Sequence, residues 1–189
     1  MFCGGYAAGL IGSQRVTKNI DVIASKDPSE AVRAITEFTN VSKDSWRYKF
    51  CETMVKIDLH QPKSPDRAWS FPMENSQGWK MRVAPNDYPK RCLRAPKALV
   101  LTKAAAWYAA QTSDEATERV RAKAHVMDIM AALRWLISKK RTMTVFGRHF
   151  LVLGKLYEAQ EEVWPLVAKV LSPAGLTRAL NSRSGSGSK

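Results

Sequence analysis

At 189 residues, 45% hydrophobic and 25% charged, the chain is long enough for one compact core with a helical appendage, too short for two full-sized domains and too apolar to stay disordered. Thirty Lys and Arg against seventeen Asp and Glu leave a formal charge of +13, which favours a polyanionic partner such as RNA, DNA, a nucleoside triphosphate or an anionic membrane surface. Cys3, Cys51 and Cys92, odd in number, widely spaced and without a CxxC pair, suggest neither a disulfide framework nor a zinc site, and basic residues interrupt the apolar runs before any could span a membrane, so a soluble cytoplasmic protein is expected.

In chain order, small and apolar residues from Tyr6 to Ile11 follow the pair Gly4-Gly5 and predict a short helix. Asn19-Ile20-Asp21-Val22-Ile23 then alternates polar with β-branched side chains, as a half-buried strand does. Asp27-Pro28-Ser29-Glu30 offers an N-cap, a proline at the first helical position and a capping-box acid ahead of Val32, Ile35 and Phe38 at helical spacing. A helix reaching Phe38 is the expectation. Residues 50–59 read as a strand, with Met54, Val55, Ile57 and Leu59 apolar and Asp58 set among them. Six prolines fall between 62 and 96, where Trp79-Lys80-Met81-Arg82-Val83 alternates as a strand and the remainder is expected to be loop.

Beyond Pro96 the chain turns helical. Residues 98–111 are alanine-rich, Thr112 with Glu115 offers a capping box, and Val126, Ile129, Met130, Leu133 and Ile137 form one apolar stripe. Helical projection puts Arg121, His125 and Asp128 on the opposite face, towards solvent or a cleft, with His125 placed in solvent. A third helical stretch over 145–171 is expected to end at Ser172-Pro173, ahead of a Ser/Gly-rich tail. The expected organisation is an α/β core over 1–96, a helical subdomain over 97–181 and a flexible tail over 182–189.

The segment from Gly4 to Val22 carries the chemistry. Side chains at i and i+2 of a strand share a face, where two carboxylates can hold Mg²⁺, and glycines beside a helix N-terminus let backbone N–H groups approach phosphate. The ordered run resembles the signature of the DNA polymerase beta-like nucleotidyltransferase superfamily, in particular its minimal abortive-infection toxin type. That pattern reads GG-x-A, then G-x-x-R-x-T-x-D-I-D, and Gly4, Gly5, Ala7, Gly12, Arg15, Thr17, Ile20 and Asp21 match it. A second block of likeness covers Leu99, Lys103 and Ala106, then Arg121, Asp128 and Ile129.

The resemblance implies an α/β nucleotidyltransferase fold, a small mixed sheet with flanking helices, plus a C-terminal helical bundle. It implies Mg²⁺ as cofactor, held by Asp21 and Asp58, with position 19 as the third catalytic residue. Nucleotide contacts would come from Gly4, Gly5, Arg15, Thr17, Lys103, Arg121 and Asp128. The implied activity is transfer of a nucleoside monophosphate from a nucleoside triphosphate to a hydroxyl acceptor. Net positive charge favours RNA, such as a tRNA end, with a protein acceptor open.

Three departures stand against the pattern. Asn19 occupies the place of the first metal-binding aspartate, and a neutral amide holds Mg²⁺ far more weakly than a carboxylate. Lost catalysis, a one-metal mechanism and an engineered substitution all remain open as its explanation. The family's K-D-x-x-D-I reads Ala124-His125-Val126-Met127-Asp128-Ile129, and only Met1-Phe2-Cys3 precede the glycine pair, so a trimmed core is expected. The alternative function is a catalytically silent module of the same fold that binds nucleic acid or a protein partner, with Trp69, Trp79 and Trp107 as candidates for base stacking.

Overall fold

The computed structural model describes residues 2–24, 29–42, 44–60, 80–83, 91–94, 96–143, 145 and 149–181. The cap residues Asp27 and Pro28, Trp69, Trp79 and the tail 182–189 lie outside the described residues. The chain divides into two compact units, one of Met1–Leu10 with Val16–Ala95 and one of Ile11–Arg15 with Pro96–Lys189.

The first unit runs β1 (Phe2–Cys3), α1 (Gly4–Gly9), β2 (Asn19–Ile23), α2 (Ser29–Arg33), β3 (Phe38–Ser42), β4 (Ser45–Phe50), β5 (Thr53–His60), β6 (Lys80–Val83) and β7 (Arg91–Arg94). Its strands join in one sheet in the order β3-β4-β5-β2-β1-β7-β6. The sheet is mixed: β2 runs parallel to β5 and β1 to β7, and the other neighbours are antiparallel. Ala7 and Ala8 of α1, Cys3, Trp46 and Leu59 form its buried apolar core.

Two expectations in this unit are corrected. The helix expected to reach Phe38 ends at Arg33, because Phe38 opens β3 and pairs across the strands with Tyr48, their rings 4.8 Å apart. A cross-strand aromatic pair outweighs helical spacing in a stretch where Thr36, Thr39 and Val41 are β-branched. The strand expected over 50–59 is β5, Thr53–His60, and only its start is corrected. Phe50 ends β4, Cys51 takes a positive φ of 51°, and the chain returns as β5 from Thr53, with Phe50 opposite Thr53.

The second unit holds α3 (Pro96–Gln111), α4 (Ala116–Ser138), α5 (His149–Ala159), α6 (Trp164–Val170) and α7 (Pro173–Asn181). Helix α3 is apolar almost all round, and its Ala104 and Ala105 are buried along with Leu99 and Trp107. Such small residues let a neighbouring helix approach, and α4 answers with Ala122, Ala131 and Ala132 beside Ile129 and Leu133. Each large aliphatic side chain sealed here contributes about 1.5–3 kcal/mol of burial.

The capping box of Thr112 and Glu115 does not form. Thr112 Oγ1 donates back to the carbonyl of Tyr108 at 2.9 Å, and the Glu115 N–H donates to Ser113 Oγ at 3.2 Å. The single stretch expected over 145–171 is two helices, and Pro165 lies in the first turn of the second. Ser172-Pro173 starts a helix instead of closing the bundle: Ser172 Oγ accepts the Gly175 N–H at 3.1 Å and Pro173 takes the first helical position of α7. Among the described residues no helix is long and apolar enough to cross a membrane.

Candidate functional site

Strands β2 and β5 run side by side with Asp21 paired to Asp58, so their side chains share one face of the sheet, and Asn19, two residues before Asp21, joins them there. The Asn19 amide Nδ2 donates to Asp58 Oδ2 at 2.5 Å and to Asp21 Oδ1 at 3.2 Å. The other Asp58 oxygen accepts from Ser45 Oγ at 2.8 Å and faces Lys56 Nζ at 3.2 Å. Thr17 Oγ1 donates to the Asn19 carbonyl at 2.9 Å, which fixes the start of β2.

Gly4 sets the position of Asp21. Its φ of +62° is one that side-chain-bearing residues rarely adopt, and a Cβ added there would fall 1.9 Å from Asp21 Oδ2. The glycine therefore clears the space in which the Asp21 carboxylate rests. Gly5 is buried within α1.

Burial pulls the Asp58 pKa up, but the hydrogen bonds from Ser45, Asn19 and Lys56 and the charge of Lys56 outweigh it and hold the carboxyl below the ordinary aspartate value. Such a group is a ready cation ligand and a poor proton acceptor. Both carboxylates accept from the one Asn19 Nδ2, which places an oxygen of each beside that nitrogen. Turned about its terminal torsion, Asn19 presents Oδ1 in place of Nδ2. With Asn19 so turned, Asp21, Asp58 and Asn19 would offer three oxygens to a hard cation. Among the described residues no group of three His, Cys, Asp or Glu could hold a metal by itself.

The second unit gathers other predicted residues around Asp128, which is fully buried. Its Oδ1 accepts from Arg15 Nε at 2.8 Å and from Ser13 Oγ at 3.0 Å, and Lys103 Nζ lies 2.7 Å from Oδ2. The projection that faced Asp128 to solvent or a cleft is corrected: the Ile11–Arg15 segment and α3 cover it with two cations, and a paired, hydrogen-bonded carboxylate can be buried where a lone one cannot. Arg121 stays out of the cluster, exposed and paired with Glu118 one turn away.

His125 is not in solvent either. It is half-buried, and its Nδ1 is buried with no hydrogen-bond partner among the described residues. Burial, then repulsion from Lys103, lower its pKa to about 4; Asp128 opposes this in part, and Arg15 and Arg121 add to it. A folded-state pKa below the unfolded value of 6.5 means that the unfolded chain binds the proton first. Stability should therefore climb with pH from about 4 to 6.5, by up to about 3 kcal/mol, and His125 should contribute no further slope above that. Urea denaturation across this range checks it, with His125→Asn expected to flatten the profile.

Sequence reasoning misses Ser13, Ser45 and Lys56. Lys56 sits two residues before Asp58 on the same strand face and is visible in the alternation. Ser45 belongs to a strand with no signal of its own, and Ser13 reaches Asp128 from 115 residues away.

No family model matches the chain, and none of the curated proteins does. Among solved structures, the crystal structure of an antigenic nucleotidyltransferase-like protein from Paracoccidioides brasiliensis is similar with a TM-score of 0.66, over 92% of this chain and 85% of that one, at 14% sequence identity. At that identity the likeness is one of fold. The chain has a nucleotidyltransferase-like fold, with a mixed sheet, flanking helices and a helical C-terminal region.

Proposed function

We propose that the chain binds a nucleoside triphosphate together with Mg²⁺ and transfers a nucleoside monophosphate to a hydroxyl acceptor, as a nucleotidyltransferase of the minimal toxin kind whose first metal carboxylate is replaced by Asn19. The observation that carries this reading is the in-register pair Asp21 and Asp58, with the Asn19 side chain aimed at both. When bound, the cation supplies charge stabilisation as a hydroxyl oxygen attacks the α-phosphorus and pyrophosphate leaves. Asp58, whose pKa its hydrogen bonds and Lys56 hold below the ordinary aspartate value, stays ionised and so is suited to hold the cation. Arg15 and Lys103, two cations against the one carboxylate of Asp128, keep a positive surplus suited to phosphate. Gly4, Gly5, Thr17 and Arg121 complete the proposed nucleotide contacts.

Calorimetric titration with ATP, GTP, CTP and UTP, with and without Mg²⁺, tests this. At least one should bind in the presence of the metal and weaken at least tenfold without it. Equal affinity in both conditions would remove the metal from the account.

One observation favours the second reading, a silent module of the same fold. Asn19 and Lys56 together satisfy both oxygens of Asp58 without a metal ion. Under that reading binding of nucleic acid or a protein partner persists when divalent metal is chelated.

A further inference from the structure

The sheet face that carries Asp21 and Asp58 continues along β4 and β5 as a basic strip. Cross-strand pairing places Arg47 directly opposite Lys56, and Lys49 opposite Met54, on the same face as Asp58 and its partner Ser45. Asn19 pairs with Lys56 on the other side, so the strip begins at the carboxylates themselves. Arg47 and Lys49 are exposed, and the Lys56 side chain is 50% exposed.

Folding alone does not ask for this arrangement. Like charges directly opposite each other destabilise a strand pair. The carboxylates that register brings near are already committed: Asp58 takes Ser45, Asn19 and Lys56, and Glu37, whose backbone pairs with that of Lys49 at 3.0 Å, accepts from Thr36 Oγ1 at 3.2 Å. Among the described residues neither Arg47 nor Lys49 has an ion pair. Two cations are thus held in the open beside a third. Alternate residues of a strand stand about 6.6 Å apart, a step that suits successive phosphates of an extended single strand better than it suits a globular acidic surface.

We infer that the β4–β5 strip binds the phosphate backbone of single-stranded RNA and leads its end towards Asp21 and Asp58. This rests on the proposed function only in taking those carboxylates as the reacting end; the binding itself does not. The face offers charge with no exposed aromatic ring among Arg47, Lys49 and Lys56, so the affinity is electrostatic and steep in salt. For a single strand the slope of log affinity against log salt is about −0.7 for each phosphate neutralised.

The test is fluorescence anisotropy of a labelled oligouridylate against the full chain over a salt series. Arg47→Ala/Lys49→Ala should make the slope shallower by about 1.4 and weaken low-salt binding about tenfold. Arg134→Ala/Lys139→Ala, two exposed cations of the helical unit, should leave the slope within about 0.3 of the parent. Equal losses from both pairs would mean diffuse attraction to a basic protein and would overturn the inference, as would no loss from the first pair. Polyglutamate competing as well as unlabelled RNA would overturn the choice of RNA. Calorimetry with Mg²⁺ and each nucleoside triphosphate, run on the parent chain and on the same variant, separates the two readings. If the parent chain binds no nucleotide while the RNA contrast holds, the proposed function fails and the RNA surface stands.

Discussion

Asn19→Asp should raise nucleotidyl transfer by roughly a thousandfold or more, equivalent to about 4 kcal/mol of transition-state stabilisation. The Asn19 amide now donates to Asp21 and Asp58, holding two carboxylates together without a cation. A carboxylate in its place would repel both in the absence of metal and bind far more strongly in its presence, so the substitution turns a self-satisfied cluster into one that demands Mg²⁺. Transfer from an α-labelled nucleoside triphosphate to RNA or protein in a cell extract reads the activity. Thermal denaturation gives an independent measure: the variant should melt below the parent in chelator and gain more than the parent does from added Mg²⁺. A variant that neither labels an acceptor nor responds to Mg²⁺ would leave the silent module as the better account.

Asp128→Ala should cost about 3–5 kcal/mol of stability, the penalty for breaking a buried ion pair by removing one partner. Asp128 is fully buried, and its loss strands Lys103, whose side chain is 9% exposed, and leaves Arg15 and Ser13 without their acceptor. Arg15, at 21% exposure, turns to water more readily than Lys103, at 9%. Urea denaturation should therefore show a large fall for Asp128→Ala and a change below about 0.5 kcal/mol for Arg121→Ala, whose pair with Glu118 is on the surface. Replacing both Lys103 and Asp128 by Met and Leu should recover most of the loss, because paired removal of buried charges is often neutral. A loss under about 1 kcal/mol for Asp128→Ala would mean that water reaches the cluster.

Sequence legibility followed the range of the interaction involved. Helix α1, strand β2 and the placement of Asp21 followed from glycine spacing and strict alternation within a few residues. Helices α3 and α4 followed from apolar content over longer windows. The β3–β4–β5 hairpins did not, because the turn at Cys51 contains no glycine, proline or asparagine to mark it, and the helical spacing of Val32, Ile35 and Phe38 competed with strand pairing that only Tyr48 reveals. Asp128 was misplaced for a similar reason: a helical wheel assigns a charged residue to the surface, and its burial depends on an arginine 113 residues away in sequence. Ser172-Pro173 carries both a stop and a start signal, and what settles it is the hydrogen bond from Gly175.

The membership of Ile11–Arg15 in the helical unit, although its flanks on both sides belong to the sheet unit, bears on how the chain can be cut. The helices from Pro96 onwards look like a portable fragment, contiguous in sequence and well packed. Cloned alone they would lack Ser13 and Arg15 and would enclose Asp128 with Lys103 as its remaining partner. The same five residues tie the order of synthesis to the order of completion: they are made well before α3 and α4 but find their place only after those helices exist. A circular permutant opened near Pro96 keeps that piece in the chain, whereas a truncation there discards it.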